Sequence, residues 1–220
     1  MSEEKNSIPK EELFSPKNKK LLIDPIGKDN PITVQVLGIC SVLAVTVQLR
    51  ASLVLAIAVV AVMGLANVII SVLRHGIPPR IRIIVQLTVI ASLVILVDQV
   101  LKAFVYDVSR QLSVFVGLII TNCIIMGRLE AFALQNKVWP SFLDGIGNAA
   151  GYGSILLLVA AVRELFGSGT LMGYQMIPNA FYDFGYVDNG LMILPPMALI
   201  TVGVIIWIHR HRDRALVDVS

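Results

Sequence analysis

From Ile32 to Leu49, and again from Ala51 to Leu73, the chain is almost wholly apolar, with Arg50 the only ionisable residue between the two runs. Each run approaches the ~20 residues that a helix needs to cross a bilayer. Further apolar stretches run about Ile83 to Val105, Leu112 to Gly127, Phe142 to Leu165 and Gly190 to Ile208. Inside lipid the backbone must satisfy its own hydrogen bonds, and runs of this length do so as helices. The expected fold is therefore an all-α integral membrane protein with six transmembrane helices. Composition agrees, because only 15% of the 220 residues are charged, too few to cover a water-facing exterior that normally needs roughly a quarter.

Spans one and four stand out as irregular. The turn at Arg50 is nearly absent, and the stretch from Leu112 to Gly127 is short for a crossing. Both are expected to be broken half-helices. Glycine tolerates unusual dihedrals, and threonine or asparagine side chains satisfy backbone groups that a break sets free. Gly38 and the pair Thr121 and Asn122 are thus the expected break points.

Lysine and arginine placement sets the orientation, since these residues are retained on the cytoplasmic side. Fourteen of the eighteen fall on one side, in the first thirty residues, the loop Arg74 to Arg82, the loop after Gly127 and the tail. Both termini are therefore expected in the cytoplasm. The chain divides into a solvated N-terminal arm over residues 1–30, a membrane domain over 31–209 and a basic tail over 210–220. The arm, with its lysines and prolines, has no apolar core of a signal peptide. The loop from Gly167 to Asn189 carries Asp183 and Asp188 without lysine or arginine and is expected outside, its Tyr174, Phe181, Tyr182, Phe184 and Tyr186 suiting the interfacial aromatic belt. No basic tract interleaved with aromatics suggests nucleic acid as a partner.

Six spans form two sets of three, and an odd number forces the second set to enter from the opposite side. A structural repeat, over residues 31–111 and 112–209, would thus be inverted. Cys40 lies near the middle of span one and Cys123 well inside span four, so corresponding spans carry corresponding cysteines. Inverted repeats place broken helices near the bilayer midplane on a pseudo-two-fold axis, which would bring the two thiols together. Three uses stay open on these residues alone. Each cysteine serves as a small buried hydrophobe. Alternatively they form a disulfide, against which stands their depth, far from an oxidising compartment. In the third use they are half of a metal or iron–sulfur site, which requires four thiolates and hence a partner supplying two more.

The segments Leu37 to Thr46, Arg82 to Ala103, Gln111 to Glu130, Asp144 to Gly153 and Gly190 to Leu194 carry a resemblance. Over about Asn30 to Trp207 the chain resembles the D-type subunit family of sodium-translocating NADH:quinone reductases, which is shared with a subunit of the related ferredoxin-linked ion pump. Val97-Asp98-Gln99 and Asp144 to Asn148 look more like the reductase branch. The resemblance implies a bacterial inner-membrane subunit and a paralogous partner, the E-type subunit, inserted in the opposite orientation. Together the two would enclose a [2Fe-2S] centre, with Cys40 and Cys123 as this chain's ligands. It further implies an electron relay from a cytoplasmic iron–sulfur subunit towards a covalently bound flavin, coupled to Na+ export. The complex would also contain A-, B-, C- and F-type subunits, with FAD, FMN, riboflavin and another [2Fe-2S] held outside this chain. The N-terminal arm is longer than the family pattern, and contact with anionic lipid or a cytoplasmic subunit suits it.

Other polar residues have plainer readings. Asp98 and Lys102, four apart on one helix face, suit a neutralising pair, with a sodium path the sharper alternative. Arg163, Glu164, Arg128 and Glu130 are expected mostly to snorkel to an interface. Asn67, Gln86 and Gln99 suit hydrogen bonds between helices. Gly145-x-Gly147-x-x-Ala150 has a dinucleotide-like spacing but follows no strand. The small residues Gly147 and Gly151, and Ala149 and Gly153, instead permit close helix approach. His209 and His211 suit a basic membrane-surface tail better than a metal pair. Three function classes remain: a redox subunit of a membrane pump, a secondary transporter without iron, and a membrane scaffold.

Overall fold

The computed structural model describes residues 16–27, 29–74, 76–104, 117–172, 174–175 and 190–212. Its helices are α1 (Pro16–Ile23), α2 (Ile39–Val45), α3 (Leu49–Leu73), α4 (Arg82–Phe104), α5 (Cys123–Arg128), α6 (Val138–Ser168) and α7 (Pro195–Arg212). Two-residue strands β1 (Thr170–Leu171) and β2 (Tyr174–Gln175) pair antiparallel just after α6. His75, Arg110, and the loop residues Phe181, Tyr182, Asp183, Phe184, Tyr186 and Asp188 lie outside the described residues.

Three helices among the described residues are long and apolar enough to cross a membrane: Leu49–Leu73, Arg82–Ala103 and Val138–Ser168. They correspond to the second, third and fifth expected spans. The first and fourth are interrupted, leaving α2 with seven residues and α5 with six. The sixth begins at Pro195 rather than Gly190, because residues Gly190–Ile193 form a 3-10 turn and the Pro195–Pro196 pair opens the helix, where a missing N–H costs nothing.

The centre of the fold is the antiparallel pair α3 and α6. On α3, Leu55, Val59, Val62, Met63, Ala66 and Ile70 are buried, while Ile57, Leu65 and Val72 are exposed. Both faces are apolar, as expected of a helix with protein on one side and hydrocarbon on the other. Apolar attraction between helices is weak in lipid, so close approach must supply the contact. Glycine provides it: a Cβ at Gly145 would stand 2.6 Å from the Asn67 amide, and one at Gly153 3.3 Å from Ala56. Asn67 spans the same seam and donates to the Ser141 carbonyl at 2.9 Å. The small-residue reading of α6 therefore holds, and the dinucleotide-like spacing lies inside a continuous helix.

The second small-residue face of α6 receives the N-terminal segment rather than a long helix. Gly147 meets the Leu21 carbonyl and Gly151 the Pro25 carbonyl, each too close to admit a Cβ. Asn30 is buried and donates to the Gly151 carbonyl at 3.0 Å. Leu21, Leu22, Pro25 and Asn30, expected in a solvated arm, are thus packed onto α6, while Lys20, Ile23, Ile26 and Gly27 beside them stay exposed. Their backbone can reach it because two glycines leave a flat track there, while Leu21, Leu22 and Pro25 supply the apolar contact.

Candidate functional site

The chain enters α2 through two left-handed residues, Val36 at φ 58° and Gly38 at φ 81°. That conformation is costly for a β-branched valine and free for glycine, and it stops any helix from running through. Gly38 then caps α2, in which Cys40 is the second residue. The second break falls as expected at Thr121 and Asn122, after a helical turn over residues 117–120. Asn122 is the N-cap of α5, its side-chain oxygen accepting from the Ile124 N–H at 3.4 Å, and Cys123 is the first residue of that helix. Beyond Arg128 the helix widens into a π turn over Leu129–Ala133, a local irregularity that nothing in the apolar pattern signalled.

The two breaks meet. The Gly38 N–H donates to the Cys123 sulfur at 2.9 Å, which sets Cys123 against the entry of the helix whose second residue is Cys40. Both cysteines are free thiols; Cys40 is exposed and Cys123 half-buried. Behind them stands Tyr152 of α6, fully buried. Its hydroxyl lies 2.6 Å from Ser41 Oγ, and Ser41 donates to the Gly38 carbonyl at 2.8 Å. Since that bond uses the only hydroxyl proton of the serine, the Tyr152 O–H donates to Ser41. The Asn122 amide also donates to Ser41 Oγ, at 3.5 Å. A Cβ on Gly38 would be 2.8 Å from the Tyr152 ring, so glycine here serves the backbone and the packing together.

Two further polar clusters brace this region. Arg163 is buried; it donates to Thr46 Oγ1 at 2.5 Å, to the Met192 carbonyl at 3.0 Å and to the Ile193 carbonyl at 2.7 Å. Neighbouring Glu164 is also buried and accepts the Leu49 N–H at 2.6 Å, capping α3. Neither snorkels, because each finds backbone groups freed by the break between α2 and α3 or by the 3-10 turn before α7. At the other end, Arg128 pairs with buried Asp144, its Nε donating to Oδ2 at 3.0 Å, and Asp144 also accepts from Asn148. Glu130 pairs with Arg82 and accepts from Gln86 at 3.0 Å. These residues too are tied internally rather than turned to an interface.

Asp98 and Lys102 form the expected pair on α4, 2.5 Å apart, while Gln99 is exposed on that helix. His209 contacts the Gly27 carbonyl at 3.0 Å and His211 stacks on Trp207 at 5.7 Å, so the two imidazoles are engaged separately. Among the described residues no three His, Cys, Asp or Glu side chains converge as a metal cage. What the site presents is a pair of soft sulfur donors, one side backed by a hydrogen-bonded wall and the other open. Such a pair suits a thiophilic metal centre shared with another surface. Sequence reasoning missed Ser41 and Tyr152. The available signal was a tyrosine between Gly151 and Gly153, whose hydroxyl would need a partner if buried.

These features define a helical membrane protein with two interrupted segments meeting at a thiol pair. The chain belongs to the family described as Rnf-Nqr subunit, membrane protein, whose profile matches residues 18–206. The D-type subunit of the Na(+)-translocating NADH-quinone reductase of Aeromonas hydrophila is 56% identical over 200 residues, covering 91% of this chain and 95% of that protein. The protein of the same name from Shewanella pealeana is 56% identical over 192 residues, or 87% of this chain and 91% of its own length. That of Tolumonas auensis is 55% identical over 192 residues, covering 87% and 89%.

Proposed function

We propose that this chain is the D-type membrane subunit of a Na+-translocating NADH-quinone reductase and supplies half the ligands of an intramembrane [2Fe-2S] centre. Near full-length identity to proteins bearing that name supports the first part. The second rests on one observation: the Gly38 N–H, two residues before the exposed thiol of Cys40, donates to the sulfur of Cys123, so two free cysteines distant in sequence meet at one junction. Cys40 and Cys123 would hold one side of the centre, and two thiolates of a paralogous E-type subunit in the opposite orientation would hold the other. One-electron storage is the chemistry such a centre supplies when bound.

This chain's own residues orient the sulfurs and limit water on their inner side. Gly38 donates to Cys123, and the Tyr152 ring fills the space behind Gly38. In this reading the two interrupted segments are the equivalent elements of two inverted three-helix repeats in a six-span fold. Both termini lie in the cytoplasm, the bilayer is the bacterial inner membrane, and A-, B-, C- and F-type subunits with their flavins complete the assembly that couples electron flow to Na+ export.

The test is iron content and electron paramagnetic resonance of the purified complex, oxidised and dithionite-reduced, for wild type, Cys40→Ser and Cys123→Ser. Loss of the same single centre in both variants, with the assembly retained and NADH-driven quinone reduction blocked, is the expected result. Unchanged iron and electron flow in both would make the thiols ordinary packing residues and move the chain to the transporter or scaffold class.

A further inference from the structure

Tyr152 is a buried hydroxyl-bearing side chain that the ligand role of the cysteines leaves unexplained. Phenylalanine would fill the same volume without needing a partner for the oxygen. The hydroxyl instead heads a chain of hydrogen bonds, Tyr152 to Ser41 at 2.6 Å and Ser41 to the Gly38 carbonyl at 2.8 Å, while Gly38 donates its N–H to the Cys123 sulfur at 2.9 Å. One glycine is thus held at both ends, by the serine at its carbonyl and by the sulfur at its amide. Its φ of 81° aims the amide across the break at a residue from the other interrupted segment.

We propose that Tyr152 is a positioning residue that, through Ser41, fixes the Gly38 turn so that its N–H stays on the Cys123 sulfur and raises the reduction potential of the centre those cysteines bind. The inference rests on the ligand reading above. A donor on a ligating sulfur stabilises the added negative charge of the reduced state, so its loss disfavours reduction. Tyr152→Phe keeps the ring against Gly38 and removes only the head of the chain. Ser41→Ala removes the middle of it.

The measurement is a redox titration of the intact purified complex followed by the paramagnetic signal that Cys40→Ser and Cys123→Ser abolish. In Tyr152→Phe the midpoint should fall, by up to about tenfold in the reduced-to-oxidised ratio at fixed potential, or about 59 mV for one electron. Iron content should be unchanged. Ser41→Ala should shift it in the same direction, and serves alone if Tyr152→Phe does not assemble. A normal iron complement with an unmoved midpoint in the variants that assemble would overturn the positioning role and leave the ligand reading intact. A wild-type complex with no signal dependent on the two cysteines would overturn the ligand reading itself, and this inference with it.

Discussion

The Gly38 N–H donates to the Cys123 sulfur at 2.9 Å, joining two chain breaks that lie 85 residues apart. Each break is a local defect in an apolar run, and the bond makes the two defects a single structural unit. Changes at either one should therefore be felt at both.

Gly38→Ala should be strongly disruptive, because a clash and a backbone strain fall on the same residue. The added carbon would stand 2.8 Å from the Tyr152 ring, and the left-handed backbone would add about 1–2 kcal/mol. The thermal midpoint of the detergent-solubilised complex should drop. A midpoint equal to wild type would contradict the geometry.

Arg163→Lys keeps the charge but replaces a fork that serves Thr46 and the carbonyls at 192 and 193. An ammonium on a thinner stem cannot span all three. Leaving the buried Thr46 oxygen without this donor costs about 1–3 kcal/mol, and the partly exposed carbonyls at 192 and 193 add less. Lower thermal stability and faster protease cleavage near residues 190–194 are expected, and wild-type resistance at that turn would count against the clamp.

Gly151→Ala should act on the N-terminal segment rather than on the α3–α6 seam. Its Cβ would run into the Pro25 carbonyl, whereas a Cβ at Gly153 would stand 3.3 Å from Ala56. Hydrogen exchange should accelerate over residues 20–27 in Gly151→Ala and stay near wild type there in Gly153→Ala. Equal protection of residues 20–27 in Gly151→Ala and wild type would show that this contact is dispensable.

The Arg128 and Asp144 pair has a buried carboxylate and a mostly buried guanidinium. Removing one partner strands the other charge, so Arg128→Met or Asp144→Leu alone should cost about 3–5 kcal/mol. The double variant should cost much less than the two losses added together. A double-mutant cycle on unfolding midpoints reads this directly, and strict additivity would mean that the charges do not depend on each other.

Much of this architecture was legible because the bilayer leaves few solutions for a long apolar run. The three long helices follow from length and apolarity. The breaks at Gly38 and Asn122 follow from residues that tolerate or repair an interrupted backbone. The destinations of Arg163, Glu164 and residues 20–27 were not legible. Snorkelling is a rule about a side chain and an interface, whereas Arg163 answers carbonyls and a hydroxyl supplied by segments 29 and 117 residues away. Likewise, lysine content marked the arm as solvated, but two glycines on α6 made a backbone track whose match is a matter of shape. Tyr152 was hidden for a related reason: an aromatic within a glycine-rich helix reads as packing until its hydroxyl is given a neighbour.

Gly151, Tyr152 and Gly153 follow one another on α6, yet each answers to a different part of the molecule: the Pro25 turn, the Ser41 hydroxyl and Ala56 of α3. The tripeptide is a three-way junction with no redundant member. Drift at any of these positions has to be matched by change in a separate element, so variation here is affordable only in concert, while the lipid-facing residues one turn away are free to exchange one hydrocarbon for another.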